Sequence, residues 1–361
     1  MRRVAAFFQG WRGLRRFWGL TLLVLAIGGG TLEVLGPPQS AGPSVRGHAE
    51  PPRTVTRKPD AAQEQMAIRV VPIPVVPRAD RPGRDTPGPV NDPDPALLEP
   101  VAGSATEALP RVASDGRKPM RLYAAGFDVS TTRPRVGLLL AGIGLGFADS
   151  KKAIVDLPGE ITLAVSPYAV NAEPLLSSAR LAGHEYLLSV PMEPLGFPLN
   201  DPGPNALMTT LSPEQNLPRL HWALARLQGY VGATAVLGAM KGERLADMAE
   251  QMSPLLAELD RRGLIYVGPP APRGPMPSAW SSTIDVVIDE PASAADIIGK
   301  LAELEALARD RGSALGLATA PRPITVERIA AWTTGLANRG LALTPVSALV
   351  LPPAADKEAP R

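Results

Sequence analysis

The sequence predicts an α/β protein: a distorted (β/α) barrel of about seven parallel strands, preceded by an N-terminal transmembrane helix and a disordered proline-rich linker. Three observations predict it. Arginines 2, 3, 12, 15 and 16 precede an apolar run from Phe17 to Leu32, 17 prolines crowd the 83 residues from Pro37 to Pro119, and beyond Lys118 short apolar runs alternate with helical periodicity. Positive charge ahead of an apolar segment of about helix-spanning length is what a signal anchor needs, because Lys and Arg stay on the cytoplasmic side. No small-x-small cleavage site closes the run, so a retained anchor is expected over residues 1–36, with the rest of the chain exported. Proline fixes φ and removes a backbone donor, so residues 37–118 are expected to act as an extended spacer.

Residues 119–352 form the expected domain, followed by a disordered tail at 353–361. Arg135 to Gly144 is an apolar run ending in glycines, which reads as a buried parallel strand entering a loop. Ser150 to Asp156 gives a short helix, Ile161 to Val165 a strand, Ala172 to Ala182 a helix stopped by Gly183, and Glu185 to Val190 a third strand. The alternation continues with a helix from Pro218 to Leu227, a strand from Tyr230 to Leu237, one long amphipathic helix from Glu243 to Arg262, and strands at Leu264–Val267 and Thr283–Asp289. A helix at 292–311, a strand at Ala314–Ala318, a helix at 325–338 and a last strand at Leu341–Val346 complete it. Parallel strands joined by right-handed helical crossovers, in one domain of about 230 residues, suit a barrel.

Composition excludes several chemistries. The chain has no cysteine, which removes disulfides, thiolate nucleophiles and cysteine metal sites, and only three histidines, His48, His184 and His221. A net charge of +2, from 37 basic and 35 acidic residues, offers no field for nucleic acid. Gly142-Ile143-Gly144-Leu145-Gly146 lacks the glycine spacing of a dinucleotide site.

Ligands of parallel α/β sheets bind beyond the carboxyl ends of the strands. That rule favours Glu193, after the third strand, as a ligand contact and leaves His184, at the opposite end, to structure. Tyr168 follows a strand directly and offers an aromatic face to a sugar ring, Trp280 sits in a Pro/Ser-rich loop, and Asp149 and Asp289 are further carboxylates near strand ends.

Leu157-Pro158-Gly159, Ile161 through Tyr168, Gly183-His184-Glu185, Pro191-Met192-Glu193-Pro194, Asn200 through Pro204, Pro323-Ile324-Thr325 and Ala331-Trp332 occur in an order that resembles the divergent polysaccharide deacetylases. These proteins are similar in fold to NodB-like carbohydrate esterases, and the resemblance implies a barrel linked to carbohydrate or cell-wall metabolism. It also implies paired aspartates after the first strand where this chain has Ala141-Gly142. Metal-binding histidines are implied at Ser189 and Val236, an Asp-Ser pair at Gly268-Pro269 and a late histidine at Thr319. Amide hydrolysis by that route needs a Lewis acid and a proton-transfer group, which these side chains do not provide.

The expected function is therefore a catalytically degenerate, deacetylase-like protein of the cell envelope. It would bind cell-wall glycan or an envelope protein, with the membrane reached through its anchor and no nucleic acid as partner. The location expected is the inner membrane, single-pass, with the C-terminal domain in the periplasm. No confident catalytic residue, no metal site and no cofactor are expected. An active deacetylase with a relocated site built on His184 and Glu193, using a divalent metal such as zinc, is one alternative. The other is a scaffold that binds partners through its proline-rich linker.

Overall fold

A computed structural model describes residues 84–104 and 106–353, all within one compact unit. The expected anchor, most of the expected linker and most of the tail lie outside the described residues. Among the described residues, no helix is long and apolar enough to cross a membrane.

Two short strands, β1 (Leu98–Pro100) and β2 (Ala108–Pro110), pair antiparallel. After helix α1 (Pro119–Leu122) the parallel domain begins with β3 (Arg135–Ile143), α2 (Phe147–Asp156), β4 (Thr162–Val165), α3 (Glu173–Ala182) and β5 (Tyr186–Ser189). Next come α4 (Pro213–Leu224), β6 (Gly232–Thr234), α5 (Glu243–Ala246), α6 (Ala249–Arg261), β7 (Ile265–Gly268), β8 (Ser281–Thr283) and β9 (Val286–Val287). The chain closes with α7 (Ala294–Arg311), β10 (Ser313–Ala318), α8 (Pro323–Thr334) and β11 (Ala342–Leu343).

The sheet runs β8-β7-β6-β5-β4-β3-β10-β9, all parallel, with β11 beside the start of β3. Its two edges, β8 and β9, are consecutive in sequence. Ile284 donates its N–H to Gly268 O of β7, and the next residue, Asp285, donates to Leu315 O of β10. One segment thus touches both ends of the sheet, which curls it into a distorted half-barrel and splits the strand expected at Thr283–Asp289 into two pieces.

Side chains alternate across the strands. Leu138, Leu140, Leu163, Val165, Leu188 and Tyr266 face the helices, while Leu139, Ala141, Ala164, Leu187, Ile265, Val267, Leu315 and Leu317 fill the inside of the curl. Both layers are apolar, so β3–β5 read as continuous hydrophobic runs rather than alternating ones.

Residues 84–127 form a strap across the strand-start end, although the proline count places most of them in the linker. Tertiary contacts order them. Asp92 pairs with the buried Arg180, the Asp94 amide donates to Tyr123 Oη, and Arg117 bridges Asp94 and Asp115. Beneath the strap lies Glu185, completely buried, whose carboxylate accepts from Ala125 N, Ser347 N, Ser347 Oγ and Thr162 Oγ1 at 2.6–2.9 Å. Burial pushes its pKa up, and the four donors oppose that rise.

Two helices differ from expectation for local reasons. Helix α4 starts at Pro213 rather than Pro218, because Ser212 and Gln215 form a reciprocal capping box and Pro213 suits the first turn. The single helix expected from Glu243 to Arg262 breaks at Asp247–Met248. There Met248 is extended, and the Asp247 carboxylate accepts from the Arg273 amide and from Arg273 Nε.

Candidate functional site at the strand-end face

Most of the positions expected from the sequence to meet a ligand lie beyond strand ends, and the fold brings several of them to the strand-end face. At the end of β3, Gly142 has φ +77° and a β-carbon there would lie 3.2 Å from Thr319 O, so the backbones after β3 and β10 nearly touch. Ala141, Ser189, Val236 and Thr319 are completely buried. Ser189 sits beside Thr234 in register, and its hydroxyl has no hydrogen-bond partner in the protein.

Two carboxylates of this face are held by arginines. Glu193, 2% exposed, accepts from Thr209 N and Thr209 Oγ1 at 2.7 Å and pairs with Arg244 Nη1 at 2.9 Å. Asp289 accepts from Thr319 N at 2.8 Å and pairs with Arg322 Nη1 at 2.9 Å. Glu193 follows β5 and Asp289 follows β9, and each is matched by its own arginine, so the two do not share a ligand. Asp149 lies exposed in the first turn of α2, where a carboxylate complements the helix dipole.

His184 lies at the other end of β5, with Nδ1 2.8 Å from Ile161 O and Nε2 3.0 Å from Ile154 O. Carbonyls only accept, so a neutral ring satisfies one of the two contacts. Burial lowers its pKa, and the carbonyls partly offset this. Tyr168 is half-buried and packs on Trp222, with ring centroids 5.3 Å apart and planes at 42°. Trp280 is buried with the side chains inside the curl.

This face also exposes large apolar side chains. Leu145, Val170, Leu195 and Leu199 on the loops after β3, β4 and β5, and Phe147 at the start of α2, are 51% to 96% exposed. Sequence reading missed this rim, since isolated apolar residues in loops carry no periodic signal. It also missed Arg244 and Arg322, whose pairing with Glu193 and Asp289 depends on contacts between separate loops.

The donor set does not fit a divalent metal. Ala141, Gly142 and Val236 have no side-chain donor atom, Ser189 offers a neutral hydroxyl, and Glu193 and Asp289 are engaged by arginines. Among the described residues, no three His, Asp or Glu side chains group closely enough to hold an ion.

The profile of the divergent polysaccharide deacetylases matches residues 138–350, and the chain belongs to that family. A crystal structure of an uncharacterised protein from Agrobacterium tumefaciens is 32% identical, covers 68% of this chain and 100% of its own, and superposes with a TM-score of 0.63. A second crystal structure, from Enterococcus faecalis and described as a cellobiose-phosphate cleavage protein, is 12% identical over 61% of this chain and 100% of its own, with a TM-score of 0.42. No curated protein matches the chain. Family membership supports a carbohydrate-related, deacetylase-like protein.

Proposed function

We propose that this protein is a non-hydrolytic member of its family. It is held in the inner membrane by its N-terminal segment, with the domain in the periplasm, and binds cell-wall glycan through the strand-end face. The observation that carries the reading is the content of that face: Ala141, Gly142, Ser189 and Val236 occupy the positions where the resemblance puts metal ligands and base, and both nearby carboxylates are engaged by arginines. Water activation at neutral pH needs a metal or a free base, and neither group is assembled there. Binding needs neither.

The exposed Leu145, Phe147, Val170, Leu195 and Leu199 favour a second reading, in which the same face takes an envelope protein, because several large exposed apolar side chains on one face mark protein contacts more than sugar contacts. Co-sedimentation of the full chain with purified cell-wall sacculi tests the first reading. Retention that is lost in the Leu145→Glu, Phe147→Glu double variant supports it, and no retention contradicts it. Cross-linking of the same face to a single protein would favour the second.

A further inference from the structure

The strand-end face is divided into two parts of opposite character. The segments after β6, β7 and β10 carry Lys241, Arg244, Arg273 and Arg322, each paired with a carboxylate. The segments after β3, β4 and β5 carry the exposed Leu145, Phe147, Val170, Leu195 and Leu199, and residues 141–148, 164–172 and 194–200 contain no Asp, Glu, Lys or Arg. These three strands are neighbours in the sheet, and their loops touch. A β-carbon on Gly144 would lie 2.5 Å from Ala169 Cβ, and one on Gly203 would lie 2.6 Å from Tyr168 Oη. The exposed apolar side chains thus stand on adjoining loops.

The chemistry of these loops selects what covers them. Protein interfaces anchor chiefly on Trp, Tyr and Arg. These loops hold no Trp and no Arg, and their one tyrosine, Tyr168, is packed on Trp222. A bilayer accepts protruding aliphatic groups without a matching hollow, and Leu199 is 96% exposed. The backbone suits a poorly hydrated boundary as well: Leu145, Ala169, Phe197 and Asn200 donate their N–H groups within their own loops, and Pro194 and Pro198 have none to satisfy. Irregular backbone does not enter hydrocarbon, so contact stops at the boundary between headgroups and acyl chains. The first charged residue after each loop is acidic, Asp149, Glu173 and Asp201, so anionic headgroups are not the attraction. The described chain begins at Arg84, and polyproline geometry gives the preceding residues 37–83 a reach of roughly 150 Å, ample for this face to meet a membrane.

We infer that the apolar part of the strand-end face seats on a lipid bilayer, with the side chains of Leu145, Phe147, Val170, Leu195 and Leu199 entering it and the charged part held at headgroup level. The inference rests on the proposed membrane tether for its nearness to lipid and is independent of the glycan reading.

The chain has no cysteine, so Leu199→Cys and Val170→Cys each take a single environment-sensitive fluorophore, and Leu181→Cys, equally apolar and 73% exposed at the strand-start end, takes the control. The full chain is reconstituted into phosphatidylcholine vesicles that carry nitroxide on their acyl chains. Both rim labels are quenched severalfold more than the label at position 181. Added anionic lipid does not increase the quenching, and neither does it change between about 0.01 M and 1 M salt, a range over which exposed charge pairs become screened. Leu145→Glu with Phe147→Glu brings the label at position 170 down to the control level while the urea midpoint stays in place. Rim labels quenched no more than the control, or shielded only once a protein partner is added, overturn the inference. Flotation with the vesicles reports the tether separately. Flotation without rim quenching overturns the rim inference alone, flotation lost in the double variant overturns the tether reading alone, and no flotation of any form overturns both. Absence of sacculus retention with rim quenching intact sinks only the glycan reading.

Discussion

The two ends of the same strands are built in opposite ways. At the strand-start end, a completely buried carboxylate, Glu185, receives four donors from three separate segments and fixes the strap and the C-terminal turn to the sheet. At the strand-end face, the matching inward positions hold Ala141, Ser189 and Val236, and the Ser189 hydroxyl is left without a partner. Buried polar groups are retained where a full network satisfies them and are costly where it does not. In this chain the satisfied buried network stands at the strand-start end. The face where the family's chemistry would stand holds apolar groups and engaged carboxylates.

The sharpest way to break this comparison is at Glu185. Glu185→Ala leaves two backbone N–H groups and two hydroxyls buried without their acceptor and is expected to cost about 4 kcal/mol, read as a fall in the urea midpoint at unchanged slope. A loss under about 1 kcal/mol would remove the strand-start end as the stabilising pole. The strand-end face gives the converse test. Ala141→Asp, which restores one expected ligand, places an unpaired carboxyl in a completely buried position and is expected to cost about 2–3 kcal/mol without creating activity.

Acid sharpens the comparison further, because the other carboxylates that support the fold lie outside both poles. Glu258 pulls against burial through Arg261, His221 and Arg262, and Glu305 through Trp332, Arg309 and Arg339, so both sit below glutamate's ordinary 4.5. A depressed carboxylate stabilises the fold above its unfolded value and loses that contribution as pH falls through the folded value. The urea midpoint should therefore drop below pH 4.5, and Glu258→Gln, costing about 1 kcal/mol at pH 7, should flatten that acid limb. The smallest effect belongs to the rim: Phe147→Ser should change stability by less than about 0.5 kcal/mol, since Phe147 is half-exposed. A larger loss would make the rim part of the core.

Strands β3, β4, β5, β7 and β10 were legible because both their faces are buried and their apolar runs are unbroken. The end of α3 was legible too, because Gly183 supplies the left-handed cap. Pro218 misled because a proline inside a helix and a proline at its start look alike until the capping box around Ser212 is noticed. The strap at 84–118 was hidden by its prolines, since its order comes from distant partners such as Arg180 and Arg262 rather than from local propensity. The substitutions at Ala141, Gly142, Ser189 and Val236 could be read directly, being questions of residue identity. Their consequence could not, because it rests on Arg244 reaching Glu193 and Arg322 reaching Asp289 across separate loops.

The proposed function has the strand-end face bind without activating water. The direct measurement is acetate released from N-acetylated oligosaccharides by the purified full chain, assayed with added zinc, cobalt or manganese and accompanied by metal analysis of the protein. No release above the protein-free control and no stoichiometric metal are expected. Metal-dependent turnover that is lost on replacing Glu193 or Asp289 would contradict it.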